Sequence, residues 1–466
     1  MIVMKFGGTS VEDAACIERV AEIVKARVAL RPTVVVSAMG KTTRKLLQAA
    51  KASAAGDAKT TLAIVADLKA RHASEARQLI KTQWSAFDLI EKYFAELKKL
   101  LEGLAILGEV PPRGLDKILA YGELLSSAIV ADAFAERGLK TRLLDARELI
   151  KTDERFGGAS PIFEITNANL QQVIVPLAED NTVAVIQGFI GSTREGATTT
   201  LGFEGSDYTA AIIGAAMNAD DIQIWKDVSG LMTCDPRIYK GAKTVKTCSF
   251  TEAAALTYFG AKVLHPKAIH PAARKNIPVH IYNSKAPEAT GTAITERVQR
   301  CANAIKSIAY KRPITVINAT IETIGEEEQS FLPEDSLKTI INEMIKHRVA
   351  PLITAVSGLN MAFAVDSVAM DETTERDLLA EISKFTNATI EHDKAIISLV
   401  GTELNEDATL AGRVFKALEA VTVNAILHGS SPIMMNIVMA ASDVEMVISK
   451  LHEVFFSELD TTVFES

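Results

Sequence analysis

The chain lacks the features that mark secreted, membrane-spanning and nucleic-acid-binding proteins. Its four cysteines are widely separated among 466 residues and form no Cys-x-x-Cys pair, which argues against a disulfide framework or a zinc site. No uninterrupted apolar stretch approaches the ~20 residues of a membrane span, and Met1 leads into a strand-like segment without a signal-peptide pattern. The formal net charge of −8 argues against nucleic acid or an anionic membrane as the main partner. We therefore expect a reduced, soluble protein of the cytoplasm.

The two familiar nucleotide-binding signatures are also missing. No G-x-G-x-x-G follows a predicted strand, so a Rossmann dinucleotide site is unsupported. The segment Met39–Thr43 resembles the end of a P-loop, but that pattern requires glycine where the chain has Val35. A phosphate site in this chain would therefore follow neither signature.

What the chain does have begins at its N-terminus. The apolar run Ile2–Phe6 predicts a buried strand, and Gly7–Gly8 allow a sharp turn directly after it. Thr9 or Ser10 can cap the next helix, whose free N–H groups and dipole favour an anion beside the charge of Lys5. This pattern predicts a phosphate-binding turn. An ordinary strand-to-helix turn with a surface lysine is the alternative that this segment alone leaves open.

Residues 1–295 alternate short apolar runs with helical periodicity, which predicts an α/β domain with a mainly parallel sheet. The predicted strands are Ile2–Phe6, Thr33–Ala38, Thr141–Asp145, Thr182–Phe189, Asp221–Trp225 and Pro278–Tyr282. Residues 58–107 carry no strand signal and predict a helical excursion, interpreted as a lid or a dimer-contact layer. A polar turn at Pro287–Gly291 closes this part of the chain, with a boundary near residue 300.

The last 165 residues contain an internal repeat with an offset of 74 positions. The shift places Met344 on Leu418 and Phe363 on Ile437, and other apolar positions follow. Each copy predicts a helix, a strand, a small-residue turn, a strand and a second helix. Two βαββαβ units are the economical interpretation, and chance similarity between two α+β segments is the alternative.

Several motifs in the first part carry candidate functional groups. Glu123 places a carboxylate after a glycine in an otherwise apolar helical stretch, and two glycines flank Phe189 at the end of a strand. The segment Thr198–Thr209 sets Ser206 and Asp207 at the start of a small-residue helix, where backbone donors can meet a phosphate.

Further candidates follow the next strand. In Ile224–Arg237, Trp225 is a candidate to flank a flat ring, and Lys226 and Arg237 are candidates to meet phosphates. Lys262 lies in the run 259–266. The spacing of His265 and His270 does not suit a helical metal pair, so we expect them to be structural.

These motifs together resemble those of the aspartokinases. The runs Lys-Phe-Gly-Gly-Thr-Ser (5–10), Gly-Glu-Leu-Leu-Ser (122–126), Thr-Thr-Leu-Gly-x-x-Gly-Ser-Asp-Tyr-Thr-Ala (199–210), Trp-Lys-Asp-Val…Asp-Pro-Arg (225–237) and Phe-Gly-Ala-Lys-Val-Leu-His-Pro (259–266) occur in that family's order and approximate spacing. The C-terminal repeats resemble the paired ACT regulatory domains of the family. Because no homoserine dehydrogenase segment follows residue 466, the chain resembles the monofunctional form.

The resemblance implies a fold and an activity. It implies a three-layer α/β/α amino acid kinase domain over 1–300, followed by two ferredoxin-like βαββαβ domains of the ACT type over 301–390 and 391–466. In a variant of that arrangement, the two ACT-type domains are interleaved with the strand near 304–310. The implied reaction is phosphorylation of the β-carboxylate of L-aspartate by MgATP to 4-phospho-L-aspartate, the first step toward lysine, threonine and methionine. A homodimer formed through the ACT domains, with feedback by lysine or threonine, is also implied.

The resemblance also assigns roles to individual residues. Lys5 and Asp207 would be catalytic; Thr43, Glu123, Phe189 and Ser206 would bind aspartate; and Lys5, Gly7, Gly8, Ser10, Lys226, Asp227, Arg237 and Lys262 would bind ATP and its phosphates. No residue is assigned to a metal. Because a carboxylate is already nucleophilic, no strong base is needed, and positioning and charge neutralisation carry the rate.

Some positions depart from the family pattern. Most aspartokinases have an arginine, which binds a substrate carboxylate, where this chain has Phe203, and a small residue where it has Glu204. A lost charged hydrogen bond costs on the order of 1.5–3 kcal/mol, and Arg194 is the candidate replacement cation. Met232 stands where the family often has a tyrosine near the nucleotide.

The acidic loop Asn318–Pro333 lacks the family's proline-glycine turn, which argues against an effector at the first repeat.

Two alternatives to an aspartokinase stay open. One is a kinase for another amino-acid carboxylate, such as glutamate, and the other is an amino-acid sensor with an impaired kinase domain.

Overall fold

A computed structural model of the chain describes residues 1–82, 84–261, 264, 266–297, 299–321 and 333–465. The chain forms two compact units. One holds Met1–Leu231, Lys246–Ala254 and Val263–Val298, and the other holds Met232–Val245, Ala255–Lys262 and Gln299–Ser466. This division is coarser than the three predicted domains, whose boundaries at 300 and 390 remain a proposal.

The first part of the chain alternates strands and helices, as predicted. Its elements are β1 (Ile2–Phe6), α1 (Ala14–Lys25), β2 (Pro32–Val36), α2 (Thr42–Ala54), α3 (Ala58–Leu79), α4 (Ser85–Leu107), α5 (Pro112–Glu136), β3 (Thr141–Leu144), α6 (Ala146–Leu149), α7 (Phe163–Glu179), β4 (Val183–Gln187), β5 (Ile190–Ser192), β6 (Thr198–Thr200), α8 (Gly205–Met217), β7 (Asp221–Lys226), β8 (Thr247–Ser249), α9 (Phe250–Tyr258), α10 (Pro266–Arg274), β9 (Val279–Asn283) and β10 (Thr292–Thr295). All six predicted strands are confirmed, as β1, β2, β3, β4, β7 and β9.

The main sheet of this part has the strand order β3-β4-β2-β1-β7-β9-β10-β8 among the described residues. Neighbouring strands from β3 to β9 are parallel, and β10 runs antiparallel to β9. Every residue of β1, β2 and β4 is buried. A parallel sheet covered by helices on both faces buries both sides of each strand, so its strands appear as continuous apolar runs. The predicted mainly parallel sheet is confirmed.

Two helical layers accompany the sheet, which confirms the three-layer α/β/α architecture. Helices α1 to α5 pack against one another, and α7 and α10 pack on α8. The helical prediction for residues 58–107 is confirmed by α3 and α4, whereas their role as a lid or contact layer stays a prediction. By length and composition α5 could cross a membrane, but 89% of its apolar window is buried within the structure.

The second part contains the predicted repeat. Its elements are β11 (Ile305–Thr320), α11 (Pro333–Lys346), β12 (Pro351–Ser357), β13 (Asn360–Asp366), α12 (Glu372–Ile382), β14 (Asn387–Gly401), α13 (Leu410–Ala417), β15 (Val423–Leu427), β16 (Met434–Ala440) and α14 (Val444–Phe456). The offset of 74 places β13 on β16 residue for residue and aligns α11 with α13, β12 with β15 and α12 with α14. The repeat is therefore a structural one. Most of the loop singled out between β11 and α11, residues 322–332, lies outside the described residues.

One antiparallel sheet holds both copies, in the order β12-β13-β11-β14-β16-β15. Strands β11 and β14 are long and pair with each other along most of their length. The second half of β11 also pairs with β13, and the second half of β14 also pairs with β16. Buried side chains on one side of this sheet, among them Phe363, Met344 and Leu378, form the core of the first copy. The predicted pair of ferredoxin-like units is confirmed.

Candidate active site

The candidate site lies where β1 and β7 end, at the carboxyl edge of the parallel sheet. From β1 the chain passes to β2 on one side, while β7 pairs with the other side, so the strand order changes direction here. Ligands of open α/β sheets bind at such a switch point. Lys5 is the penultimate residue of β1, and Lys226 is the last residue of β7.

The glycine pair after β1 turns tightly against the next strand. A Cβ on Gly8 would lie 2.7 Å from the carbonyl oxygen of Ala38, a contact that side chains do not make. The Gly7 N–H donates to the carbonyl of Trp225 (3.0 Å) and the Ser10 N–H donates to the carbonyl of Gly7 (2.9 Å). The predicted turn is thus present, and only glycine fits its closest approach.

Two lysines share one carboxylate at this edge. The Lys5 ammonium is paired with Oδ1 of Asp207, and Nζ of Lys226 lies 2.9 Å from Oδ2 of the same residue. Asp207 lies in the first turn of α8 and is 1% exposed. The structure therefore brings together the two residues predicted to be catalytic and one predicted phosphate ligand, although about 200 residues of sequence separate Lys5 from the other two.

Burial and charge act in opposite directions on this cluster. Burial lowers the pKa of Lys5 below its usual value, although Asp207 opposes the shift. Burial would raise the pKa of Asp207, but the charges of Lys5 and Lys226 outweigh it and hold that pKa below its usual value. The pKa of Lys226 is raised, because Asp207 and Glu204 outweigh its burial. The cluster is therefore an anion held between two cations in a desolvated place.

The loop after β4 meets the start of α8. A Cβ on Gly188 would lie 2.6 Å from Cβ of Ser206, and one on Gly205 would lie 2.8 Å from Cδ2 of Phe189. The Phe189 N–H donates to the hydroxyl of Thr209 (3.0 Å), and Phe189 adopts a left-handed backbone conformation (φ 71°). Phe189 and Ser206, both predicted to bind substrate, are thus adjacent.

Glu123 contributes a second buried carboxylate from α5. Its Oε1 accepts a hydrogen bond from the Ala38 N–H (3.3 Å), whereas its Oε2 has no hydrogen-bond partner among the described residues. Burial raises the pKa of Glu123 to about 8, against the opposing effects of the Ala38 N–H and the charge of Lys5. An unpaired oxygen of this kind is a ready partner for a cationic ligand group.

The remaining predicted residues differ in how the structure places them. Thr43 lies in the first turn of α2 and is half-buried, and Asp227 is exposed just after β7. Arg237 belongs to the second unit, where its guanidinium is paired with Asp235 (2.6 Å). Lys262 lies outside the described residues, as does His265.

Two hypotheses from the sequence are wrong. Trp225 cannot flank a ligand ring, because it is fully buried between Phe6 (ring centroids 5.9 Å apart) and Tyr282 (4.8 Å). Arg194 cannot replace the missing substrate arginine near Phe189. It lies in the turn that joins β5 to β6, at the opposite end of that hairpin and about 10 Å away along the strand.

Sequence reasoning missed three buried polar residues that hold the site together. Gln187 accepts from the Ala146 N–H (2.8 Å) and donates to the Ser127 hydroxyl (2.7 Å), one turn along α5 from Glu123. Asp116 at the start of α5 accepts from the backbone and the hydroxyl of Thr200. The third is Ser284, next to β9. For Gln187 the available signal was a polar residue at the end of an apolar strand.

This geometry suits one kind of chemistry. Two ammonium groups fixed by a shared carboxylate, beside a glycine turn, can neutralise phosphate oxygens with little reorganisation. Glu123 offers an anion for a cationic group of the acceptor. The fold and site define a phosphotransferase that acts on a small charged substrate.

Comparison with known proteins identifies the family. Residues 1–283 match the amino acid kinase family. The lysine-sensitive aspartokinase 3 of Escherichia coli is 30% identical over 467 residues, covering 98% of this chain and 99% of that protein. Two solved structures of E. coli aspartokinase III are each 29% identical and cover 98% of this chain. The structure with aspartate and ADP matches with a TM-score of 0.85 and is covered to 100%. The structure with lysine and aspartate matches with a TM-score of 0.78 and is covered to 99%.

The chain belongs to the aspartokinases, within the amino acid kinase family. The predicted family and enzyme class, aspartate kinase, are thereby confirmed.

Proposed function

We propose that the protein transfers the γ-phosphoryl group of MgATP to the β-carboxylate of L-aspartate through the cluster of Lys5, Asp207 and Lys226. The observation that carries this proposal is the pairing of both ammonium groups with one buried carboxylate at the carboxyl edge of the sheet. Asp207 holds the two cations at fixed positions, and the cations neutralise the oxygens of the transferring group.

The acceptor is oriented by Glu123. Its unpartnered Oε2 accepts a hydrogen bond from the α-ammonium group of aspartate. The positive charge of that group also stabilises the ionised form of Glu123. Thr43, Phe189 and Ser206 complete the pocket. Lys5 acts electrostatically on Glu123, so the two side chains lie near each other. An aspartate whose ammonium group binds Glu123 therefore directs its β-carboxylate toward the lysines.

The chemical step needs no base from the protein. An oxygen of the β-carboxylate attacks the γ-phosphorus, and the bond between that phosphorus and the bridging oxygen breaks. The electron pair of that bond leaves with ADP. Lys5 and Lys226 hold the phosphates, and the Gly7–Gly8 turn lets the phosphates approach the backbone closely. Ser10 supports the phosphate turn, because its N–H donates to the Gly7 carbonyl and its hydroxyl is directed to Ser284. The family resemblance makes Asp227, Arg237 and Lys262 further candidates for nucleotide binding.

The magnesium ion is carried by the nucleotide. Both oxygens of Asp207 face ammonium groups, and a divalent cation placed there would meet two positive charges. When bound, the ion neutralises β- and γ-phosphate oxygens. The residues around the cluster therefore fit a metal held chiefly by phosphate.

The second unit is the proposed regulatory part. Its two structurally equivalent copies support a homodimer formed through the ACT-type domains, with lysine or threonine as effector, and the first copy as the weaker effector site. The lysine complex of E. coli aspartokinase III supports lysine as the first effector to test. We place the protein in the cytoplasm. Sedimentation of the full chain with and without each amino acid tests the dimer, and a monomer at micromolar concentration would contradict it.

An ATP-dependent hydroxamate assay across aspartate, glutamate and other amino acids tests the activity. We expect aspartate to give the highest kcat/KM. The second candidate function, a kinase for a different amino-acid carboxylate, is favoured by one observation: Phe203, where the family has arginine, carries no charge and is 81% exposed. A higher kcat/KM with another amino acid would replace the aspartate proposal with this one.

A further inference from the structure

The ends of three neighbouring strands are joined by two buried hydroxyl groups. Ser284 directly follows β9 and is 1% exposed. Its hydroxyl donates to the carbonyl of Lys226 (2.9 Å) at the end of β7, and its N–H donates to the same carbonyl (2.7 Å). The hydroxyl of Ser10, beyond the glycine turn that follows β1, lies 2.7 Å from that of Ser284.

The distances and the number of protons together favour one direction for these bonds. A serine hydroxyl has one proton, and that of Ser284 is used on the Lys226 carbonyl. The bond between the two hydroxyls then uses the proton of Ser10, whereas the reverse direction would leave Ser10 only the more distant Trp225 carbonyl as acceptor. The longer approach of Ser10 Oγ to the Trp225 carbonyl (3.3 Å) is then secondary. The result is a directed chain from Ser10 through Ser284 to the backbone of Lys226.

We propose that Ser284 is a positioning residue for phosphoryl transfer, which fixes the Lys226 backbone and the phosphate turn after β1 relative to each other. Ser284 touches neither substrate nor nucleotide. It acts through Lys226, whose ammonium is bound to Asp207, and through Ser10. This inference rests on the proposed function of the cluster.

The position of Ser284 predicts which substrate is affected. It lies on the β7–β9 side of the switch point, whereas Glu123 comes from α5, which contacts β2, β3 and β4 on the other side. Loss of the hydroxyl therefore displaces groups that meet the nucleotide phosphates and leaves the groups that bind the acceptor in place. Small displacements of such groups have large effects on rate.

Two substitutions of the same shape isolate the hydroxyl. Ser284→Thr and Ser284→Val both add a methyl group at a buried position, so they share any overpacking, but only threonine keeps the hydroxyl. We expect kcat/KM for ATP to be about 5- to 10-fold lower in the valine variant than in the threonine variant, the size expected for one buried neutral hydrogen bond. The KM for aspartate should be the same in both. Calorimetric affinity for ADP should fall in parallel.

The outcomes separate this inference from the proposed function. A parent enzyme that makes no aspartyl hydroxamate removes the proposed function, whereas the ADP affinities of the matched pair still report on Ser284. Equal values of kcat/KM for ATP in the two variants would overturn the inference. Equal losses for ATP and aspartate, with a lower melting temperature, would also overturn it, because they indicate a purely structural role. If the valine variant does not fold, Ser284→Ala takes its place under the same criteria.

Discussion

The two sheets of this chain place their charged side chains differently. In the first, parallel strands end at one edge, so side chains from β1, β7 and the helix before β7 meet at one place. In the second, antiparallel strands place successive ends at opposite edges. A parallel sheet thus concentrates charged groups, whereas the antiparallel sheet distributes them over two equivalent copies.

The charges of the two sheets differ accordingly. Asp207 and Lys5 are almost fully buried, and their pairing removes charge from water at a considerable cost. In the second sheet the pairs of Arg312 with Glu445 and of Lys394 with Glu391 lie closer to solvent. We therefore assign the buried cluster of the first sheet to chemistry, whereas these two pairs of the second sheet contribute little.

The largest expected effect comes from breaking the buried cluster. Lys5→Ala and Asp207→Ala should each lower kcat by at least ~100-fold, because each removes a group that acts on the transferring phosphoryl. Steady-state kinetics with aspartate and ATP measure this. Lys69→Ala, which removes an exposed pair with Glu91 (2.5 Å), is the matched control and should leave kcat unchanged. Near-normal turnover in either cluster variant would contradict the assignment.

The next effect concerns the second buried carboxylate. Glu123→Gln should raise the KM for aspartate roughly 10- to 100-fold, since it removes a charged hydrogen bond to the ammonium group. With a pKa of about 8, Glu123 is largely protonated at pH 7 in the empty enzyme. Aspartate binding at pH 7 should therefore release up to about 0.9 proton. Calorimetry in buffers of different ionisation enthalpy measures that release, which the glutamine variant should lack.

The same carboxylate predicts a pH dependence of stability. The folded pKa of Glu123 is raised from 4.5 to about 8, so the folded state binds more protons between these values than the unfolded state does. Its contribution is fully present below pH 4.5 and is lost as pH rises through about 8. Chemical denaturation should show the parent losing stability across this range relative to Glu123→Gln. A constant difference between the two would count against a buried, protonated Glu123.

A smaller effect is expected at Phe203. Restoring a guanidinium with Phe203→Arg should lower the KM for aspartate by about 10-fold and change kcat little, because it adds binding shared by ground and transition states. Glu204 already acts on Lys226 electrostatically and could capture the new group. The double variant with Glu204→Gly controls for this capture, and Phe203→Leu controls for loss of the ring. No change in KM, with another amino acid as the better substrate, would point to a different acceptor.

The smallest effect is expected in the second sheet. Arg312 forms a two-point contact with Glu445 (2.5 and 3.1 Å) near the surface. Exposed pairs of this type contribute about 0.2–1 kcal/mol, so Arg312→Ala should lower stability by no more than that and leave kcat unchanged. A loss of several kcal/mol in urea denaturation would show that charge matters as much here as in the first sheet.

The sequence predicted elements whose residues are close together in the chain. The strands were visible as short buried runs bounded by glycine or proline, and the repeat was visible because both copies keep one offset. The three residues of the cluster, Lys5, Asp207 and Lys226, were predicted from sequence motifs. Arg194 was misjudged because β5 and β6 have three residues each. Strands this short leave no periodicity to show that the hairpin turns residue 194 away from Phe189.

Other features depend on contacts that no local pattern contains. Trp225 at a strand end looks the same whether it faces a ligand or the core, and its burial follows from Phe6 and Tyr282, which are distant in sequence. Ser284 and Gln187 act through partners dozens to hundreds of residues away. Their roles follow only from the order of the strands in the sheet.

The length of β11 and β14 has a consequence for how the second sheet unfolds. Each strand runs through both copies, and a cut after residue 390 falls inside β14. Neither copy can lose its central strands without exposing the core of the other. The two copies therefore melt as one cooperative body, and a fragment that carries a single copy keeps an incomplete sheet with an unpaired central edge, the type of edge at which chains associate and aggregate.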